Sequence, residues 1–424
     1  PRMWLRERGD DRTLSVGLPI PGEGPVPERQ SFLKLFSESL SALAFNFLGL
    51  LAGLAFASFA GLFSTRTWGL RAYPCVLTTR GIIGGMVCGR LSSGLWAGTI
   101  RPGLFGNTEE FKVIYRVALV LSASSSLTMS LIIWFYGLPL GADVYVALEI
   151  ASAMTSTMAF SFAVTMPIPA IVSFASFRRG VNPDVMTYPI GSTSSDVLVT
   201  CCYAASLLLL SLGTVGQAIG GALGLVFVMA GASTLLLHRR DRGFMRMLKE
   251  GLLASLVAIS ISGLTGVFLA DISASIGLWP GLCMIYPAMM STMGDVGSVV
   301  GSTATTKLFR GELRPGVGAV KDHAREVAAA WAASALVFTA YALISASYLP
   351  PGGPGIIPVM AALLTTNMLA FWAIVVLSLS AGIATFRFGL NPDNFVIPIE
   401  SSAADAITTL ALLTALSSLV GPIA

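Results

Sequence analysis

Long apolar runs dominate this chain and leave it few ways to fold. They lie at about 36–63, 74–97, 113–136, 144–174, 188–213, 217–237, 250–270, 280–307, 327–348, 358–384 and 396–422 of the 424 residues. A helix needs about 20 apolar residues to cross the hydrocarbon core of a bilayer. Inside lipid every backbone polar group must be satisfied within the segment, which favours helices. The runs therefore predict an all-α polytopic membrane protein with eleven transmembrane helices. Glycine and proline inside several runs suit broken helices. Asp, Glu, Lys and Arg make up 11% of the chain, against roughly 25% in a soluble domain. That excludes a soluble globular enzyme and a disordered chain. A net charge of +4 gives no basis for nucleic-acid binding. Five cysteines without a CxxC pair, and two histidines, offer no thiolate or imidazole metal cage.

Orientation follows from Lys and Arg, which favour cytoplasmic loops. With the N-terminus in the cytoplasm and eleven crossings, 22 of the 26 basic residues fall in cytoplasmic segments. Arg66 and Arg71 fall in outer loops, and Arg80 and Arg90 within the second span. The C-terminus then lies outside the cell. Residues 1–34 carry 11 charges and no apolar core, so they read as a cytoplasmic tail and not as a signal peptide.

Two stretches recur. YPCVLTTRGIIGGMVCGRLSSGLWAGTIRPG (73–103) aligns with YPAMMSTMGDVGSVVGSTATTKLFRGELRPG (286–316), with 11 of 31 positions identical. FASFRRGVNPDVMTYPIGSTSSDVLVT (174–200) aligns with IATFRFGLNPDNFVIPIESSAADAITT (383–409), with 12 of 27 identical. The offsets are 213 and 209, so both matches belong to one duplication. The expected organisation is a tail (1–35), a first repeat (36–213), a linker helix with a basic cytoplasmic loop (214–249) and a second repeat (250–424). Each repeat has five spans, and the linker helix turns the chain round. The repeats are therefore expected to be parallel, related by a pseudo-twofold axis along the membrane normal.

A carboxylate inside an apolar span costs a few kcal/mol, about 3 on insertion scales. Asp196 and Asp405 are such residues, in the last span of each repeat. Each follows a proline and a polar turn: Pro189 with Ser192 and Thr193, and Pro398 with Glu400, Ser401 and Ser402. Proline in the first turn and a serine cap would start a helix there, with each Asp about two turns inside. The symmetry axis would bring the two together around a hydrated cation; local hydrogen bonding for packing is the alternative. The second span of each repeat adds glycines, including Gly81 and Gly294, that can bare carbonyls to a pore, and the hydroxyls of Thr78, Thr79, Ser291 and Thr292. Asp295 is a third carboxylate, opposite Ile82 in the repeat. Arg80, opposite Met293, either neutralises part of the cluster or only aids packing. Carboxylates, hydroxyls and carbonyls suit a hard cation. A sparse acidic constriction fits magnesium, which gives up water reluctantly, better than calcium; sodium fits the same donors. Glu38 and Glu250 open the first span of each repeat, as helix caps or in an inner vestibule. Glu149, in the fourth span, reads as a coupling-ion or proton site, an inward hydrogen bond, or a group near the outer surface.

The second-span YP(x)6G, the RLSS at 90–93 and the paired GxNPD…P…S…D elements, beginning at Asn182 and Asn391, resemble the MgtE magnesium channels and, more closely, the tandem form in solute carrier family 41. The resemblance covers about 36–424. It implies a hydrated magnesium ion framed by the last-span aspartates, here Asp196 and Asp405, with one chain supplying both halves of the pore. Family members usually carry Gly-Asn where this chain has Gly81-Ile82 and Gly294-Asp295, and the short tail cannot house the cytoplasmic magnesium sensor. The expected function is magnesium transport across the plasma membrane and not catalysis. Sodium is a candidate coupling ion, and a sodium-independent channel is the alternative. Met293-Gly294-Asp295 also suggests an intramembrane aspartyl protease, but Thr292 breaks the Gly-x-Gly-Asp pattern and no Tyr-Asp partner is present.

Overall fold

A computed structural model describes residues 31–179, 183–276, 280–310, 323–349, 355–388 and 392–419, with backbone alone at some helix positions. Among the described residues there is no strand. Thirteen α-helices among the described residues run in chain order: α1 (Phe32–Ala44), α2 (Gly49–Phe63), α3 (Gly69–Trp96), α4 (Glu109–Gly137), α5 (Val144–Thr165), α6 (Pro167–Arg178) and α7 (Pro183–Ser211). They continue with α8 (Thr214–His238), α9 (Arg242–Ile276), α10 (Pro280–Arg310), α11 (Ala324–Ala346), α12 (Ile356–Phe388) and α13 (Pro392–Leu419).

The helix starts follow local chemistry. Ser31 caps α1 through Lys34 N at 3.3 Å, Asp143 caps α5 through Val146 N at 2.9 Å, and Asp241 accepts from Gly243 N at 2.8 Å to start α9. Glu38 lies well inside α1, and Glu250 inside α9, so neither is a cap. The last span of each repeat also starts elsewhere than expected. α7 and α13 begin at Pro183 and Pro392 of the NPD elements, not at Pro189 and Pro398. Proline at the first helical position loses no hydrogen bond, so the helix starts earlier than expected. Asp196 and Asp405 each sit 13 residues inside.

Each of the eleven apolar runs is largely helical over its described residues, but they are not equally apolar. Nine helical segments among the described residues are long and apolar enough to cross a membrane. The exceptions are α3 and α10, which are glycine-rich and carry Arg71, Arg80 and Arg90 or Asp295 and Lys307. At 1.5 Å per residue each is still over 40 Å long. Both are packed among other helices, which bury Arg80 of α3.

The packing of six helices closes into a ring. α3 packs on α9, α9 on α13, α13 on α10, α10 on α2, α2 on α7, and α7 on α3. The first helix after the tail thus packs against the late helices α10 and α11, while α9 packs against the early helices α3 and α4. Two glycines permit this exchange. A Cβ at Gly53 would overlap the Met284 carbonyl, and one at Gly266 would overlap the Arg71 carbonyl. Outside the ring, α8 rests on α4 and α5 through Gly220, Gly224 and Gly231. Its far side exposes Val226 and Leu237, as a lipid-facing helix would.

Candidate ion-binding site

Asp196 and Asp405 project from α7 and α13, which stand opposite each other in the ring. The charge of Asp196 acts on Asp405. Their helices are held in matching ways. The Tyr73 hydroxyl is 3.0 Å from the Thr200 hydroxyl, which donates to the Asp196 carbonyl at 2.7 Å. The Tyr286 hydroxyl is 2.9 Å from the Thr409 hydroxyl, which donates to the Asp405 carbonyl at 2.7 Å. Each tyrosine therefore fixes its Asp-bearing helix one turn beyond the carboxyl group. Phe56 lies between them, 4.4 Å from the Tyr73 ring and 6.2 Å from the Tyr286 ring. With Phe63 and Tyr203, at 4.9 Å from each other, these buried rings fill the ring of helices on one side of the pair.

The two carboxyl groups have unlike partners. The hydroxyl of Thr78 on α3 acts on Asp405, and Thr78 accepts from Ser262 of α9 at 2.8 Å. Asp196 faces the charge of Arg80, which donates to the neighbouring Ser195 and, at 3.3 Å, to Thr165. Asp295 stands apart from this arrangement: its carboxylate accepts from Asn46 Nδ2 at 2.8 Å. Asn46 lies in a 3₁₀ turn, Phe45–Leu48, that interrupts the first span. Among the described residues no three His, Cys, Asp or Glu side chains gather as a metal cage. The expected trio of carboxylates is thus a pair plus one.

The other predicted residues divide. Thr79 and Thr292 are buried and turn away, Thr79 to Met129 of α4 at 3.3 Å and Thr292 to Tyr341 of α11 at 2.9 Å. Gly81 borders open space, while Gly294 is partly buried in α10 and Ser402 fully buried in α13. Glu149 forms an ion pair with Arg66 and accepts from Trp68 Nε1 at 3.4 Å, which makes it a clamp on the α2–α3 loop. Burial lowers the pKa of Arg66, yet a guanidinium stays charged. Glu250 pairs with Arg246 at 3.2 Å and Arg90 at 3.8 Å. Glu38 lines a cavity of about 170 Å3 with Ser39, Thr303 and Glu326. The side chains of Ser192, Thr193, Glu400 and Ser401, and all of Asn182 and Asn391, lie outside the described residues.

Sequence reasoning missed Asn46, Ser262 and Thr165, and treated Thr78 as one hydroxyl among several. An amide at position 46 inside an apolar run was a readable signal. Which hydroxyls turn inward was not, because Thr78 and Thr79 are adjacent and helical phase decides between them.

The family model described as MgtE, divalent cation transporter, matches residues 73–206 and again 286–415, more than half of the chain. The chain belongs to the MgtE family of divalent cation transporters. The two matches cover the same two stretches that the internal alignment pairs. No curated protein and no solved structure matches the chain. As an MgtE family member it is a multi-pass membrane protein whose substrate is a divalent cation.

Proposed function

We propose that the chain moves hydrated magnesium through the six-helix ring, with the ion held between Asp196 and Asp405. The observation that carries this reading is the placement of two repeat-related aspartates on opposite helices of the ring, within a divalent cation transporter family. Two carboxylates with few other donors suit an ion that keeps most of its water. Asp295 adds negative potential from α10 without being a direct ligand, and the open space at Gly81 belongs to the path.

The matching Tyr–Thr bonds and the helix exchange support two parallel repeats about a pseudo-twofold axis, with α3 and α10 as two of eleven spans. The distribution of basic residues supports a cytoplasmic N-terminus in the plasma membrane. The aromatic cluster beside the aspartates supports a closure on one side of the site, as alternating access requires. The mode is secondary transport with sodium as the coupling ion; a sodium-independent channel is the alternative outcome.

The test is magnesium uptake into sealed proteoliposomes loaded with a fluorescent indicator, with and without a sodium gradient. Asp196→Asn with Asp405→Asn is expected to reduce uptake to background. Unchanged uptake in that double variant would sink the site. Uptake indifferent to sodium would make the protein a channel.

A further inference from the structure

Arg80 places a fixed positive charge beside only one of the two candidate ion ligands. The residue is 3% exposed. Its Nε donates to Thr165 at the end of α5 at 3.3 Å, and its Nη2 donates to Ser195, the residue before Asp196. Its charge acts on Asp196. Space for the guanidinium is built into the same helix. A Cβ at Gly84, one turn along α3, would overlap Nη1. The repeat partner of Arg80 is Met293, fully buried and 3.8 Å from Asn367. Asp405 instead has the hydroxyl of Thr78, backed by Ser262. Two repeat-related carboxyl groups thus stand in different electrostatic settings, one beside a tethered cation and one beside neutral donors.

We propose that Arg80 is a tethered counter-cation that competes with the transported ion for Asp196 and so sets the affinity of the site. This rests on the reading that Asp196 and Asp405 hold the ion. With both carboxylates ionised, the group carries one net negative charge with Arg80 and two without it. A divalent ion feels that difference strongly where little water screens it. The resident guanidinium keeps Asp196 from standing as an uncompensated charge when no ion is bound. The arriving ion must outweigh the pull of that charge on Asp196. Affinity is thereby held low enough for release, and the exchange costs little because one cation replaces another.

The experiment titrates magnesium against the thermal stability of the purified full chain in detergent, which reads binding without turnover. Arg80→Met, which installs the residue of the other repeat, is expected to lower the half-stabilising magnesium concentration at least tenfold. Arg80→Lys keeps the charge and is expected to stay within about threefold of wild type. Met293→Arg, which places a second arginine at the repeat-related position, is expected to raise the concentration at least tenfold. An unchanged or raised value in Arg80→Met overturns the inference. If Arg80→Met gives no cooperative melt, Met293→Arg decides, and no change there overturns it equally. The pair Asp196→Asn with Asp405→Asn separates the two levels. Magnesium stabilisation that survives this pair removes the ion-site reading itself. Stabilisation lost in the pair but unmoved by Arg80→Met removes only the tethered-cation inference.

Discussion

The Asn46–Asp295 pair has a natural replacement within the same chain. By the repeat offset of 213, Asp295 matches Ile82 and Asn46 matches Ile259. One copy therefore holds an amide–acid pair between the 3₁₀ turn and α10, and the other has two isoleucines on α3 and α9, which pack on each other. Removing one partner of a 2.8 Å hydrogen bond strands a partly buried polar group, which costs about 1–3 kcal/mol. Replacing both partners by apolar groups of suitable shape is nearly neutral. Asn46→Ile and Asp295→Ile are each expected to destabilise by about 2 kcal/mol, and the double variant by less than about 1. The coupling energy, about 3 kcal/mol, is large for a contacting pair. Thermal and denaturant melts of the four proteins in one detergent measure it. Additive losses would refute the reasoning, because they would mean that the two side chains stabilise the fold independently. Uptake by the double variant gives a second reading. The half-saturating magnesium is expected to rise a few-fold without loss of flux, because Asp295 adds potential and not a ligand.

Three further outcomes follow from particular contacts. Gly53→Ala and Gly266→Ala push a Cβ into a carbonyl of the facing helix and are each expected to cost about 1–3 kcal/mol. Gly61→Ala, which meets open space, is expected to be neutral or to stabilise by up to about 1 kcal/mol through helix propensity, and melting curves compare the three. Glu149→Gln breaks the pair with Arg66, whose side chains are 14% and 23% exposed, and is expected to cost about 2 kcal/mol while leaving uptake unchanged; lost uptake would return Glu149 to the ion path. Tyr73→Phe with Tyr286→Phe removes both hydroxyl links to the Asp-bearing helices, at about 1 kcal/mol each. That variant is expected to raise the passive magnesium leak of proteoliposomes, and an unchanged leak would argue against a closure at the aromatic cluster.

Much of the fold was legible because lipid allows few solutions. Eleven apolar runs became helices, and two short alignments named the stretches that the family model matches twice. Asp196 and Asp405 were readable as candidates, since charges in apolar helices need a reason to be there, and their helices stand opposite each other in the six-helix ring. What escaped depended on helical phase and on contacts between distant segments. Thr79 and Thr292 satisfy the same composition argument as Thr78, yet one residue's rotation, about 100°, sends them to α4 and α11. The pairing of Asn46 with Asp295 spans 249 positions and rests on a turn that no periodicity marks. The exchange of α2 and α9 between halves rests on Gly53 and Gly266, whose importance lies in what faces them and not in their neighbours along the chain.

The two halves are unequal at several repeat-related positions, and one of them lies beside Asp196. Arg80 faces Met293 in the alignment, Asp295 faces Ile82, Asn46 faces Ile259, and an interrupted first span corresponds to the unbroken α9. The tyrosine–threonine links and the glycine crossings are the same in both halves. Two identical chains meeting on an axis would have to place an arginine beside both aspartates or neither. Both would leave the pair with net charge 0, and neither would leave it with −2. A single chain can hold the intermediate value, which suits an ion that must bind and then leave. Combining Arg80→Met, Asp295→Ile and Asn46→Ile makes both halves alike at these positions while leaving the crossings and links intact. The variant should fold, bind magnesium more tightly than wild type, and turn over more slowly because release becomes limiting. Uptake rates at saturating magnesium, set against binding measured by thermal stabilisation, would show the two moving in opposite directions; movement in the same direction would mean that the asymmetry serves folding and not transport.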